Sequence, residues 1–274
     1  MTNAEAGLVS TKRWPRTWIM GAIIFAIGAA GLAIKRPFGH YLYQVMGKPI
    51  SSGPGTLLEW IMSDYFSLFL VLVACFFYER SGLPGAPRIE RLLFRDARVG
   101  ERPRVWRPAI VGALVCVLIF AVSVALGGSN PLTSSINAGA IPREAQTKLA
   151  MLYPLAFIGA ALSEEVIFRF GVMGTLLGLL SFIGGRNLVK NNVTFWVVNL
   201  LQGAWFGFVH VKEGIVASQS AGLGIETLIA PQTWAGVVFG YVFRRWGLEA
   251  AIVAHMATDI LVPIYLSAWG HFHH

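Results

Sequence analysis

The segment Tyr153–Gly174, YPLAFIGAALSEEVIFRFGVMG, places two adjacent glutamates, Glu164 and Glu165, inside an otherwise apolar stretch. An ionisable side chain within a bilayer costs at least about 2.5–3.5 kcal/mol when charged, and such residues usually face the protein interior and serve a function. Arg169 follows Glu165 by four residues, so the two side chains can lie on one helix face and neutralise each other. Glu164 points about 100° away. The pattern predicts a structural ion pair, Glu165 with Arg169, and a second carboxylate available for chemistry.

The composition of the whole chain indicates an all-α integral membrane protein. Hydrophobic residues make up 55% of the 274 residues and charged residues only 13%, whereas soluble domains carry about 25% charged residues. Apolar runs that approach the length of a membrane span, about 17–25 residues, recur along the chain. We predict a bundle of about seven transmembrane helices, with a range of six to eight, around a buried polar site. The runs are Trp18–Ile34, Trp60–Tyr78, Pro108–Leu126, Leu149–Phe170, Val193–Val209, a run within Ile225–Phe243, and Leu248–Leu266, and the short run Gly171–Ile183 is ambiguous.

The basic residues predict the orientation of the chain. Eight arginines lie between Arg80 and Arg107, and Lys12, Arg13 and Arg16 precede the first span. Basic segments beside membrane spans are typical of the cytoplasmic side, so we place both the lead 1–16 and the Arg80–Arg107 loop there. Such a loop also attracts anionic headgroups, and the net charge of +8 is therefore not interpreted as a nucleic-acid site. Residues 17–270 form one predicted transmembrane domain, and 271–274 form a His-rich tail.

Two later apolar segments each contain one histidine within a five-residue motif. Phe206 and His210 lie on one predicted helix face, and His255 and Asp259 lie on another. Asp259 could orient the imidazole of His255 or share its task. With Glu164, three membrane segments then direct ionisable groups at a common interior. A site that uses water inside a bilayer needs such a set, with a base and groups that stabilise an oxyanion.

The three motifs together resemble the signature of the CAAX-protease and bacteriocin-processing family of intramembrane glutamic endopeptidases. The resembling region runs from Glu164 to Asp259. The resemblance implies that Glu164 is the base that activates water and that His210 helps to bind that water, without a metal or other cofactor. It also implies that His255 and Asp259 stabilise the oxyanion.

The resemblance also implies that the remaining motif residues, Glu165, Arg169 and Phe206, support the site. The implied substrate is a peptide or protein associated with the lipid bilayer. Many family members have Asn where this chain has Asp259. An amide can donate a hydrogen bond to an oxyanion, whereas an ionised carboxylate cannot. Asp259 therefore either carries a proton or leaves the donor role to His255.

Other interpretations of these residues remain open at the level of sequence. Glu164 could be a protonated, hydrogen-bonded carboxyl between helices. His210 alone could be an interfacial histidine at the end of its span, and His255 alone could be an interhelical donor. A metalloprotease with Glu164, His210 and His255 as zinc ligands is one alternative, although the chain contains no His-Glu-x-x-His sequence. The other alternative is a non-catalytic scaffold or cofactor-binding subunit of a larger membrane complex.

Overall fold

The computed structural model describes residues 13–45, 64–94, 106–125, 142–210 and 226–272. Helices account for nearly all of these residues, and no strand occurs among them. Helices satisfy every backbone hydrogen bond within one segment, which the interior of a bilayer requires. The helices are α1 Arg13–Val45, α2 Asp64–Ser81, α3 Pro87–Phe94, α4 Trp106–Ala125, α5 Arg143–Glu165, a π-helical segment Val166–Met173, α6 Gly174–Lys190, α7 Asn192–Val209, α8 Glu226–Trp246 and α9 Leu248–Phe272.

Each predicted span coincides with a helix wherever its residues are described, so the predicted all-helical fold is confirmed. Two differences in the bounds bear on the site. α1 does not end at Ile34 but continues through Pro37 to Val45. The ambiguous run Gly171–Ile183 continues α5 through the π-helical segment into α6, where Gly185, with a φ of +67°, interrupts the helix.

The surface of the described helices is apolar and part of their interior is charged. Ile183 is 82% exposed and Phe76 66%, whereas Glu165 and Arg169 have no exposed surface. Soluble domains rarely expose large contiguous apolar patches, so this distribution fits a surface that faces lipid. Within the described residues, two helical stretches have the length and hydropathy to cross a membrane, and a shorter apolar helix accompanies them. The number of spans, about seven from the sequence, stays a prediction. The two stretches are Arg16–Val45 and Arg143–Lys190, and the shorter helix is Trp106–Val122.

The centre of the arrangement is the continuous stretch of α5 and the π-helical segment. It contacts α1, α2, α6, α7, α8 and α9. Its crossing with α1 is close because both helices have glycine there. A Cβ added at Gly31 would lie 2.5 Å from the backbone nitrogen of Ser163, and one added at Gly159 would lie 2.5 Å from that of Lys35. Small residues of this kind let helix backbones approach inside membranes.

The basic segment between Arg80 and Arg107 contains the short helix α3. Glu249 accepts hydrogen bonds from the backbone N–H groups of Arg88 and Ile89 at 2.7 and 3.0 Å, so the start of α9 satisfies the amino-terminal end of α3. Residues 95–105 of the basic loop, 1–12 of the lead and 273–274 of the tail lie outside the described residues. The cytoplasmic placement of these segments stays a prediction.

Candidate active site

The two glutamates occupy the last turn of α5, directly before the π-helical segment Val166–Met173. A π-helical turn interrupts the regular α-helical register and is often found at functional sites. All eight residues of this segment are buried. The glutamates therefore lie near the middle of the helical stretch Arg143–Lys190 and in its most enclosed part.

The predicted ion pair between Glu165 and Arg169 is confirmed. Arg169 Nε lies 2.9 Å from Glu165 Oε2, and neither side chain has exposed surface. The guanidinium also donates from Nη2 to the backbone oxygen of Gly236 at 3.3 Å and lies 4.9 Å from the ring centroid of Phe206. Arg169 thus connects the π-helical segment to α7 and α8, in addition to neutralising Glu165.

Glu165 also holds the imidazole of His255, a contact that the sequence did not predict. His255 Nδ1 lies 2.8 Å from Glu165 Oε1, and both side chains are buried. A carboxylate paired with Arg169 can only accept, so Nδ1 carries a proton and donates it. The ring also stacks on Phe239, with centroids 4.8 Å apart. The imidazole is therefore fixed in tautomer and in orientation.

The second nitrogen of His255 faces two other carboxyl groups. Nε2 lies 3.5 Å from Asp259 Oδ2 and 4.0 Å from Glu164 Oε2. The Asp259 side chain is 25% exposed, whereas that of His255 is 7% exposed. Glu165 is thus the residue that orients His255 through Nδ1. Asp259 lies on the opposite side of the ring, where it can share a proton with Nε2.

His210 approaches the same oxygen of Glu164 from α7. Its Nε2 lies 3.8 Å from Glu164 Oε2, while its Nδ1 donates to the backbone oxygen of Phe206 at 2.6 Å. In the neutral ring, Nε2 is then an acceptor. His210 follows the last residue of α7, so a residue at the end of its apolar run still reaches the site. The structure brings Glu164, His210, His255 and Asp259 together.

One residue of the cluster, Lys35, was missed by the sequence analysis. Its Nζ lies 3.5 Å from Glu164 Oε1. The dipeptide Lys35-Arg36 follows an apolar run and was therefore assigned to the flank of the first span. The sequence does indicate that Lys35 faces another helix. Gly28, Gly31 and Lys35 share one helix face, and small residues mark helix contacts in membranes.

Among the residues that the structure describes, the cluster contains three carboxyl groups but only two permanent cations, Arg169 and Lys35. Glu165 is balanced by Arg169 and Glu164 by Lys35. Asp259 remains, beside two imidazoles. One further proton, carried by Asp259 or by a histidine, makes the cluster neutral. Because His255 and Asp259 are 3.5 Å apart, they titrate as a coupled pair.

No group of three or more His, Cys, Asp and Glu side chains is arranged to hold a metal ion in the described parts of the chain. In the zinc alternative, Glu164, His210 and His255 would be the ligands. In the structure, Nε2 of His210 lies 3.8 Å and Nε2 of His255 lies 4.0 Å from the same oxygen of Glu164, Oε2.

The ionisable groups of this protein lie buried among helices whose outer surfaces are apolar. Such an arrangement is typical of membrane-embedded proteins with a polar interior site. Residues 146–261 match the family model described as Type II CAAX prenyl endopeptidase Rce1-like. The matched region contains all three motifs, so the resemblance of this part of the chain to the CAAX-protease family, which the motifs predict, is confirmed. The family is a family of membrane-embedded proteases. No curated protein and no solved structure matches the chain.

Proposed function

We propose that this protein is an intramembrane endopeptidase of the CAAX-protease type in which Glu164 activates a water molecule. The proposal depends on one observation, the distances of 3.8 and 4.0 Å from Glu164 Oε2 to Nε2 of His210 and of His255. These distances are too long for direct hydrogen bonds. One water molecule can bridge each of them.

The hydrogen-bonding roles around Glu164 favour water at this position. An ionised Glu164 accepts only, and neutral His210, with its proton on Nδ1, also accepts at Nε2. Two acceptors that face each other need a donor with two protons between them. Water supplies both protons and keeps its lone pairs for a carbonyl carbon.

The reaction then follows from these groups. The water oxygen bonds to the carbonyl carbon, its proton moves to Glu164, and the carbonyl π electrons move to oxygen. A donor from the His255–Asp259 pair stabilises this oxyanion. The C=O bond re-forms, the C–N bond breaks, and Glu164 gives its proton to the leaving amine. The second water proton stays on the attacking oxygen, so the products are a carboxylic acid and an amine, which exchange this proton to become a carboxylate and an ammonium group.

The substrate we propose is a membrane-associated peptide or protein, and a prenylated carboxy-terminal peptide is the first candidate because of the family. The protein would be purified, reconstituted in liposomes and assayed with matched prenylated and unprenylated peptides. Substrates held by the Glu164→Gln variant would be identified by mass spectrometry. Cleavage of the unprenylated peptide alone would assign a different substrate class.

The decisive comparison is between Glu164→Gln and Glu144→Gln. Glutamine keeps the shape of Glu164 but cannot act as the base, so activity should fall roughly 10²–10⁴-fold while the folded yield is retained. Glu144 lies exposed in the first turn of the same helix, and its replacement should change nothing. Full activity of Glu164→Gln would reject the mechanism. Inactivity of the wild type on every peptide, together with a cofactor band in its absorption spectrum, would favour the non-catalytic alternative.

A further inference from the structure

The two oxygens of the Glu164 carboxylate have different surroundings. Oε2 faces the imidazoles of His210 and His255, whereas Oε1 faces the ammonium of Lys35 at 3.5 Å. The Lys35 side chain is 28% exposed and that of Glu164 is 15% exposed. Lys35 therefore faces Oε1, and Oε2 is the oxygen that faces the two imidazoles.

The position of Lys35 is set by the close crossing of α1 and α5. Gly31 lies one helical turn before Lys35, and its missing side chain lets α1 approach Ser163, next to Glu164. The backbone nitrogen of Lys35 itself lies against Gly159, where a Cβ would come within 2.5 Å. The backbone of Lys35 is therefore held by packing, which places its side chain within reach of Glu164.

The charges that face Glu164 come from three sides. Its own helical stretch supplies Glu165 and Arg169, which are paired with each other. α7 and α9 supply the two imidazoles and the carboxyl group of Asp259. In the described part of the chain, Lys35 is the permanent cation that is paired with Glu164. Burial favours the neutral form of a carboxyl group, and a cation within about 4–6 Å favours the charged form.

We propose that Lys35 is a positioning residue for hydrolysis, which keeps Glu164 ionised and holds Oε1 so that Oε2 is presented to His210, His255 and the attacking water. This inference rests on the proposed function and adds a residue from outside the three motifs. Without Lys35, the carboxyl group takes up a proton more readily and loses its fixed orientation.

The test is the pH profile of kcat/KM for Lys35→Met, Lys35→Arg and wild type. Removal of a charge at 3.5 Å should move the acidic midpoint of the profile upward by about one pH unit or more. Activity on the acidic side of the midpoint should fall about tenfold and return as the pH rises above the shifted midpoint. Lys35→Arg should keep the midpoint of the wild type. The matched control is Arg36→Gln on the same helix, because Arg36 contacts His40 and not the site, and its profile should not move.

A second measurement separates charge from folding. Lys35→Cys would be purified and alkylated either with bromoethylamine, which restores an ammonium, or with iodoacetamide, which does not. Cys75 and Cys116 are buried, so the reaction is directed to position 35. Only the aminoethylated protein should regain the acidic midpoint of the wild type.

Three results would overturn the inference. If Lys35→Met lowers kcat/KM equally at every pH and leaves the acidic midpoint unchanged, Lys35 has a purely structural role. If the whole profile is unchanged, Lys35 has no role in hydrolysis. Failure of both neutral variants to fold, while Lys35→Arg folds, assigns Lys35 to folding. Glu164→Gln is assayed in parallel: if it is active, the proposed function itself fails, and if it is inactive while the Lys35 profile is unchanged, only this inference fails.

Discussion

Removal of the Glu165 carboxylate should damage folding and catalysis for two separable reasons. Oε2 neutralises Arg169 at 2.9 Å, and Oε1 accepts the Nδ1 proton of His255 at 2.8 Å. The first contact balances a buried charge, whereas the second orients an imidazole. We expect that Glu165→Ala disrupts both contacts, and that a second substitution at Arg169 corrects only the charge.

The expected magnitudes follow from burial. Both members of the Glu165–Arg169 pair have no exposed surface, and removing one partner of such a pair costs about 3–5 kcal/mol of unfolding free energy. Replacing both partners with apolar residues of similar volume is often close to neutral. Arg169→Met leaves the backbone oxygen of Gly236 with a donor, because Gln202 Nε2 lies 2.8 Å from it. Glu165→Ala/Arg169→Met should therefore recover the part of the stability that Glu165→Ala loses through the unpaired charge of Arg169, but not the part that is lost through the cavity and the missing acceptor for His255.

Activity should not recover with stability. His255 still lacks an acceptor for Nδ1 in the double variant, and loss of such an orienting partner costs roughly 10–100-fold in sites where the histidine binds a metal. We expect a loss of similar size here. Denaturant unfolding in detergent and kcat/KM would be measured for both single variants and the double variant, with Glu144→Ala as control. Recovery of wild-type activity in the double variant would refute the orienting role of Glu165. A double variant no more stable than Glu165→Ala would refute the charge-balance argument.

The other predictions concern Asp259, the metal alternative and the orientation of the chain. If Asp259 carries the shared proton, Asp259→Asn should preserve activity and extend it to higher pH, since an amide donor cannot ionise; a drop at every pH in the kcat/KM profile would show that His255 alone serves the oxyanion. Chelators should leave the rate unchanged, and restoration of a lost rate by zinc would instead support the metalloprotease alternative. A cysteine at position 97, with Cys75 and Cys116 replaced, should react with an impermeant maleimide only in opened cells; labelling of intact cells would reverse the orientation.

The sequence predicted what depends on local periodicity. Apolar runs of membrane length gave the helices, and a spacing of four residues gave the contact between Glu165 and Arg169. Contacts between helices depend on which faces pack, which periodicity does not determine. For this reason the bonds from Glu165 to His255 and from Lys35 to Glu164, across separations of 90 and 129 residues, could not be predicted from spacing.

The boundary of α1 shows a second limit of the sequence. A Lys-Arg pair after an apolar run normally marks the membrane surface, yet α1 continues past it to Val45. Tertiary contact accounts for the difference, because residues on this part of α1 pack on α5: Phe38 and Tyr153 have ring centroids 5.7 Å apart, and Lys148 lies 4.2 Å from the Tyr41 ring.

The close packing of Gly31 against α5 bears on how a minimal version of this protein could be designed. The segment that matches the family, residues 146–261, contains the three motifs but excludes α1. A truncated protein limited to that segment would retain Glu164 and both histidines, yet it would lose the ammonium that faces Oε1 and the helix that covers one side of α5. The segment that matches the family model is therefore shorter than the segment needed to balance the charge of Glu164. A truncation series should retain residues 13–45, even though that helix carries none of the three motifs.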